Sequence, residues 1–155
     1  MPDSIVKEII QEVEPLQTSS TVGDATRRVI DSGIPGLPVV DANGDFAGIF
    51  GEREFMGALL PGYFKELGSS AMIRRSIDHT IDRREGCVSE TIEAYMTTDH
   101  VLVEDDYSDT HLAELFLHYR VLVIPIATKG KIHAVVTRSD FFRSLATRFL
   151  DQASG

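Results

Sequence analysis

Two four-residue runs carry the chemistry that can be read directly from residue type and spacing. Thr137-Arg138-Ser139-Asp140 follows an apolar run and opens a helical pattern, which sets two hydroxyls and a carboxylate at a strand-to-helix junction. Side chains of this kind cap a first helical turn, and from the same place they can meet a ligand. Gly51-Glu52-Arg53-Glu54 occupies the same context earlier in the chain, with no hydroxyl and an acid one methylene longer. The five histidines (His79, His100, His111, His118, His133) show no metal-ligand spacing. Cys87 has no neighbouring base and reads as a structural thiol. The chain has no Gly-x-x-x-x-Gly-Lys-Ser/Thr loop and no nucleophile-base signature, so an enzyme is not expected and phosphate transfer is the least supported reading.

The elements that must position these runs occur twice. Thr21 to Ala25 opens a helical stretch ending at Gly33; Leu37-Pro38-Val39-Val40, a turn at Asn43-Gly44, Phe46 to Phe50 and a helix from Glu52 follow. The order recurs from Ser108: a helix to Arg120, Val123-Ile124-Pro125-Ile126, a turn at Lys129-Gly130, Ile132 to Val136, and a helix from Ser139. Pro38 and Pro125 stand 87 positions apart. Such self-similarity marks a duplication.

Each copy reads β-α-β-β-α, with short first strands near Glu14–Gln17 and Val101–Glu104. Thr21 with Asp24 fits a capping box, and Ser108 is the equivalent N-cap. Ala25, Val29 and Ile30, then Leu112, Leu115, Phe116 and Tyr119, recur at helical spacing and are expected to face a core. The two prolines are expected at strand starts, where they cost no ladder bond. Ile5, Val6, Ile9, Ile10 and Val13 predict an amphipathic N-terminal helix, packed across the duplication or against another chain; Phe141, Phe142, Leu145 and Phe149 predict the same at the C-terminus. Pro61-Gly62 stops the helix that closes copy one, and residues 71–84 read as helical within a long connection. The expected division is 1–62, a connection over 63–87, and 88–155.

The 155 residues carry a net charge of −9, which disfavours nucleic acid as a partner. Residues 61–84 alone sum to +2, through Lys65, Arg74, Arg75, Arg83 and Arg84. That basic island fits either a solvated helix face or a hold on phosphate. Apolar runs such as Val121 to Ile126 are too short to span a membrane, the N-terminus lacks the pattern of a secretory leader, and one cysteine excludes an internal disulfide. The default expectation is a reducing, cytoplasmic setting.

A helix, then h-x-h-Pro-h-h, a Gly turn, a short strand and Thr-x-x-Asp, all present twice over roughly residues 5–60 and 88–150, resembles the cystathionine β-synthase (CBS) domain in tandem. The resemblance implies an α+β fold in which each repeat holds a three-stranded sheet backed by two helices. The repeats pack about a pseudo-two-fold axis and leave two clefts. It implies a homodimer, and a regulatory ligand containing adenosine (AMP, ADP, ATP or S-adenosylmethionine) whose binding is passed to an unidentified partner. Asp140 would then hold the ribose, Thr137 and Ser139 the phosphate end with Arg138 beside them, and Val135 would line the pocket. Ile34, Pro35 and the Glu14–Leu16 strand would form the opposite wall, although a polar Glu14 departs from an adenine wall. Arg74, Arg75, Arg83 and Arg84 would reach longer phosphate tails. The cleft of the first copy, with Gly51 and Glu54 opposite Val101, Val121 and Leu122, is expected to be empty, weak or specialised for another ligand. A ligand-free dimerisation or docking scaffold is the alternative.

Overall fold

A computed structural model describes residues 5–60 and 77–154 of the chain. The segment leading into the first repeat forms a short helix α1 (Val6–Ile9) and strand β1 (Gln11–Glu12). The first repeat is β2 (Leu16–Gln17), α2 (Val22–Ser32), β3 (Gly36–Val40), β4 (Phe46–Gly51) and α3 (Glu52–Leu59). Helix α4 (Ile77–Arg84) and two 3-10 turns, Glu85–Ser89 and Ile92–Ala94, lead onward. The second repeat is β5 (Val103–Glu104), α5 (Asp109–Tyr119), β6 (Val123–Thr128), β7 (Lys131–Thr137) and α6 (Arg138–Ser154).

Each repeat builds its own sheet by the same pairing. β2 runs parallel to β3, with Leu16 opposite Val39, and β3 is antiparallel to β4. β5 runs parallel to β6, with Val103 opposite Ile126, and β6 is antiparallel to β7. Both hairpins slip register at the equivalent step, Val39/Val40 and Ile126/Ala127. The sheets differ at one edge, because β1 adds to β7 as a fourth strand. The first sheet receives only a single bridge there, Ile49 to Thr97.

The prolines lie two residues inside their strands, not at the starts. They are tolerated because Ile49, opposite Pro38, spends its N–H and C=O on Thr97, at 2.9 Å each. β2 pairs only from Val39 onward, so Pro38 owes no hydrogen bond on either side.

The caps follow local chemistry. Thr21 Oγ1 accepts from the Asp24 N–H at 3.2 Å, but the box is not reciprocal: the short Asp24 side chain pairs with Arg27 at 3.2 Å. Ser108 Oγ accepts from the His111 N–H at 3.1 Å. Gly33 ends α2 in the left-handed region at φ 68°, and Arg120 ends α5 in the same region at φ 54°, where a side chain is strained.

Two apolar clusters form the core. The first repeat buries Val22, Ala25, Val29, Leu37 and Phe50; the second buries Leu112, Phe116, Ile124, Ile126 and Phe141. Ile30 is 72% and Tyr119 51% exposed, against expectation, because each lies at the outer margin of its helical stripe. The expected N-terminal helix stops at Ile9 and the chain becomes strand at Gln11.

The lead-in segments are exchanged. Ile5 and Val6 are buried in the second repeat's core, and the Ile5 N–H donates to Asp109 at 2.9 Å. Cys87 and Ile92 are buried in the first repeat's core. Val6 and Ile92, 86 positions apart, are both fully buried. The N-terminal segment is thus packed across the duplication. Of the long connection, 77–84 is helical; the rest of the helical expectation and the Pro61-Gly62 stop lie outside the described residues.

Candidate functional site

Both acids at the helix starts are held by a side chain from the neighbouring lead-in segment. Asp140 sits in the first turn of α6, where its N–H donates to Thr137 Oγ1 at 3.2 Å. Its Oδ2 accepts from Gln11 Nε2 at 3.0 Å. Its Oδ1 lies 3.8 Å from Arg143 Nη1, and the side chain is 31% exposed. In the first repeat Glu54 Oε1 reaches back to the Gly51 N–H at 3.0 Å, and Oε2 accepts from Thr97 Oγ1 at 2.6 Å. Gln11 faces Val135 across the β1–β7 edge as Thr97 faces Ile49, so the two arrangements are related by the duplication. They differ in number: Glu54 has both oxygens hydrogen-bonded, at 3.0 and 2.6 Å, and Asp140 has one, at 3.0 Å.

A cleft of about 390 Å³ lies between the repeats at Glu54. Its walls include Pro35 and Arg53 from the first repeat, and Thr97, His100, Arg120 and Leu122 from the second half of the chain. Val121 and Leu122 line it as expected; Val101 packs against the second core instead. His100 Nε2 lies 2.9 Å from the Val123 carbonyl. Burial pushes the His100 imidazole below its ordinary pKa, against the upward pull of that carbonyl and of Glu54 and Asp99. The neutral ring therefore donates to Val123. Gly51 has no room for a side chain here, since a Cβ would sit 2.1 Å from the Pro35 carbonyl oxygen.

On the other side of the pseudo-dyad, Gln11 separates Asp140 from a groove of about 340 Å³ that Glu14, Arg28 and Ile34 also line. The structure thus brings Asp140, Thr137, Gln11, Glu14 and Ile34 into one neighbourhood. Arg28 is anchored there by the Glu14 and Pro15 carbonyls.

Other expected site residues fall elsewhere. Leu16 and Val135 are 1% and 0% exposed, sealed in the core, and have no surface to give a pocket. Pro35 lies on the Glu54 cleft, tied there by the Glu52 N–H donating to its carbonyl at 2.9 Å. Arg138 and Ser139 line an outer groove between α5 and α6. Arg84 braces α4 against the first repeat, donating to the Ala58 carbonyl at 3.2 Å and to the Tyr95 hydroxyl at 3.0 Å. Arg83 is exposed, and Arg74 and Arg75 lie outside the described residues. Gln11, Thr97 and His100 were missed by motif reading. Extending the repeat offset into the lead-in segments would have aligned Gln11 with Thr97.

Among the described residues no helix is long and apolar enough to cross a membrane, and no cluster of His, Cys, Asp and Glu is placed to hold a metal ion.

Two β-α-β-β-α repeats about a pseudo-dyad, with an acid opening the last helix of each, define a tandem α+β module with clefts between its halves. The family model for the CBS domain matches residues 6–61 and 91–147, and the chain belongs to that family of regulatory ligand-binding modules. Solved structures are similar over nearly the whole chain. The crystal structure of CBSX2 in complex with AMP is 19% identical, covers 94% of this chain and 98% of its own, and superposes with a TM-score of 0.64. The CBS domain of a CBS-domain-containing membrane protein from Sphaerobacter thermophilus is 21% identical, with 90% and 91% covered and a TM-score of 0.65. A CBS-domain-containing protein from Agrobacterium tumefaciens is 18% identical, with 90% and 89% covered and a TM-score of 0.64. At these identities the likeness is one of fold. Among curated proteins, none matches the sequence.

Proposed function

We propose that the chain is a non-catalytic regulatory module that binds one adenosine-containing nucleotide per chain, at Asp140, and passes the change to a partner protein. The observation that carries this reading is the asymmetry between the two acids. Asp140 can exchange its single Gln11 hydrogen bond for a ribose hydroxyl, with Oδ1, held only by the long 3.8 Å ion pair to Arg143, for the second. Glu54 would have to give up two bonds, one at 2.6 Å, to do the same. Thr137 and the first amides of α6 supply the phosphate end. Glu14 and Ile34 offer the wall from the other repeat.

The AMP held by a structure of the same fold supports an adenine nucleotide in general. A bound nucleotide works as a signal by favouring one arrangement of the repeats over another. The exposed apolar faces of the helices support a homodimer as the working unit. Calorimetric titration with AMP, ADP, ATP and S-adenosylmethionine, with guanine nucleotides as controls, tests the proposal. One site per chain is expected. Two equivalent sites would overturn the asymmetry; no binding by any of the four would favour a ligand-free scaffold.

A further inference from the structure

We propose that Gln11 is a built-in competitor for the nucleotide: its side-chain amide occupies Asp140 in the ligand-free chain and sets the concentration at which the site responds. The inference rests on the nucleotide reading above and adds its regulation. Gln11 Nε2 donates to Asp140 Oδ2 at 3.0 Å, the single side-chain hydrogen bond that the Gln11 amide makes among the described residues. The same side chain lines the groove shared with Glu14 and Ile34, so it stands between Asp140 and the wall offered to the base. A ribose hydroxyl arriving from that groove is a second donor for the same carboxylate, in the space the amide fills.

The first repeat shows why this contact is a releasable one. There the equivalent pair is Thr97 and Glu54: a short, β-branched donor, stiff at its first torsion, meets the longer acid, which also bonds the Gly51 N–H. In the second repeat the lengths are exchanged, and a long, flexible donor meets the shorter acid. Gln11 can leave by rotating its own side chain while β1 stays paired with β7, and it regains rotamer freedom as it goes. Asp140 does not need Gln11 to hold its place. Its N–H donates to Thr137 Oγ1 at 3.2 Å and its Oδ1 lies 3.8 Å from Arg143 Nη1, both partners within three positions of it. The amide therefore blocks the acid instead of orienting it. The site is competent only in the fraction of chains whose amide has swung away, and the apparent affinity is lowered by that fraction.

Titration calorimetry on Gln11→Ala and Gln11→Thr reads the competition, with AMP, ADP, ATP and S-adenosylmethionine as the probes. Gln11→Thr puts into β1 the residue the first repeat uses, whose hydroxyl needs an acid of the length of Glu54. Thermal melts without nucleotide identify which variants fold. Each folded variant is expected to bind the nucleotide that wild type binds about three- to tenfold more tightly, the scale of one net hydrogen bond. Unchanged affinity in a folded variant, with wild type still binding, would overturn the competition and leave the nucleotide site standing. Weaker binding would do the same, since that is the mark of a residue that orients Asp140. Failure of wild type and both variants to bind any of the four probes would overturn the site and its competitor together.

Discussion

Asp140 and Glu54 occupy equivalent places, yet their neighbours assign them different work. Glu54 closes a loop onto Gly51 and ties Thr97 to the first sheet, so it acts as a structural clasp. Replacing Asp140 by Ala is expected to cost about 1.5–3 kcal/mol of nucleotide binding, the range for a hydrogen bond to a charged group. Titration calorimetry checks this, and Glu54→Gln should leave the affinity within experimental error. Gly51→Ala meets the Pro35 carbonyl at 2.1 Å and should lose about 1–3 kcal/mol in urea melts, with nucleotide affinity kept if the fold survives. His100 gives a pH signature. Its folded pKa is lowered, so the unfolded chain takes up the proton first as pH falls, and stability drops below about pH 6.5. The difference in melting free energy between wild type and His100→Gln should therefore narrow as the pH is taken from 7.5 to 5.

At the scale of elements, the hairpins, the N-caps and the order of strands were legible because they depend on neighbouring residues: Asn43-Gly44 turns, Ser108 caps, and Leu37 to Val40 is a short apolar run ahead of that turn. The lead-in segments were not, because their conformation is set by a distant repeat. Ile5 to Val13 has helical spacing, but β7 has a free edge that Gln11 and Glu12 satisfy with backbone bonds, and tertiary pairing outweighs a weak local preference. The site was half legible for the same reason. Thr137 and Asp140 were found from a contiguous motif, whereas Gln11 meets Asp140 across 129 positions. Leu16 and Val135 were assigned to the pocket by their place in the motif, which does not reveal that both side chains are sealed in the core. Ile92 fills the first core from outside that repeat, so Ile92→Ala should destabilise the whole chain by about 2–5 kcal/mol. A single cooperative transition is expected in chemical denaturation, without an early phase confined to the second repeat.

For the whole molecule, ligand and assembly act on one equilibrium. A nucleotide at about 100 times its dissociation constant adds about 2.7 kcal/mol, or roughly 5–10 °C of melting temperature for a chain of this size. A thermal-shift series should show that gain for the binding nucleotide and lose it in Asp140→Ala. The net charge of −9 makes the surface as a whole repulsive toward other acidic chains.

Because each half borrows its opening stretch from the neighbour, severing the backbone within residues 61–76 would not yield two self-sufficient pieces. The front fragment would carry Ile5 and Val6 with nothing to bury them, and the rear fragment would hold Cys87 and Ile92 in the same predicament. Each is expected to precipitate when produced by itself. Co-expressed, they should recombine through this reciprocal loan and purify together, as a split protein does.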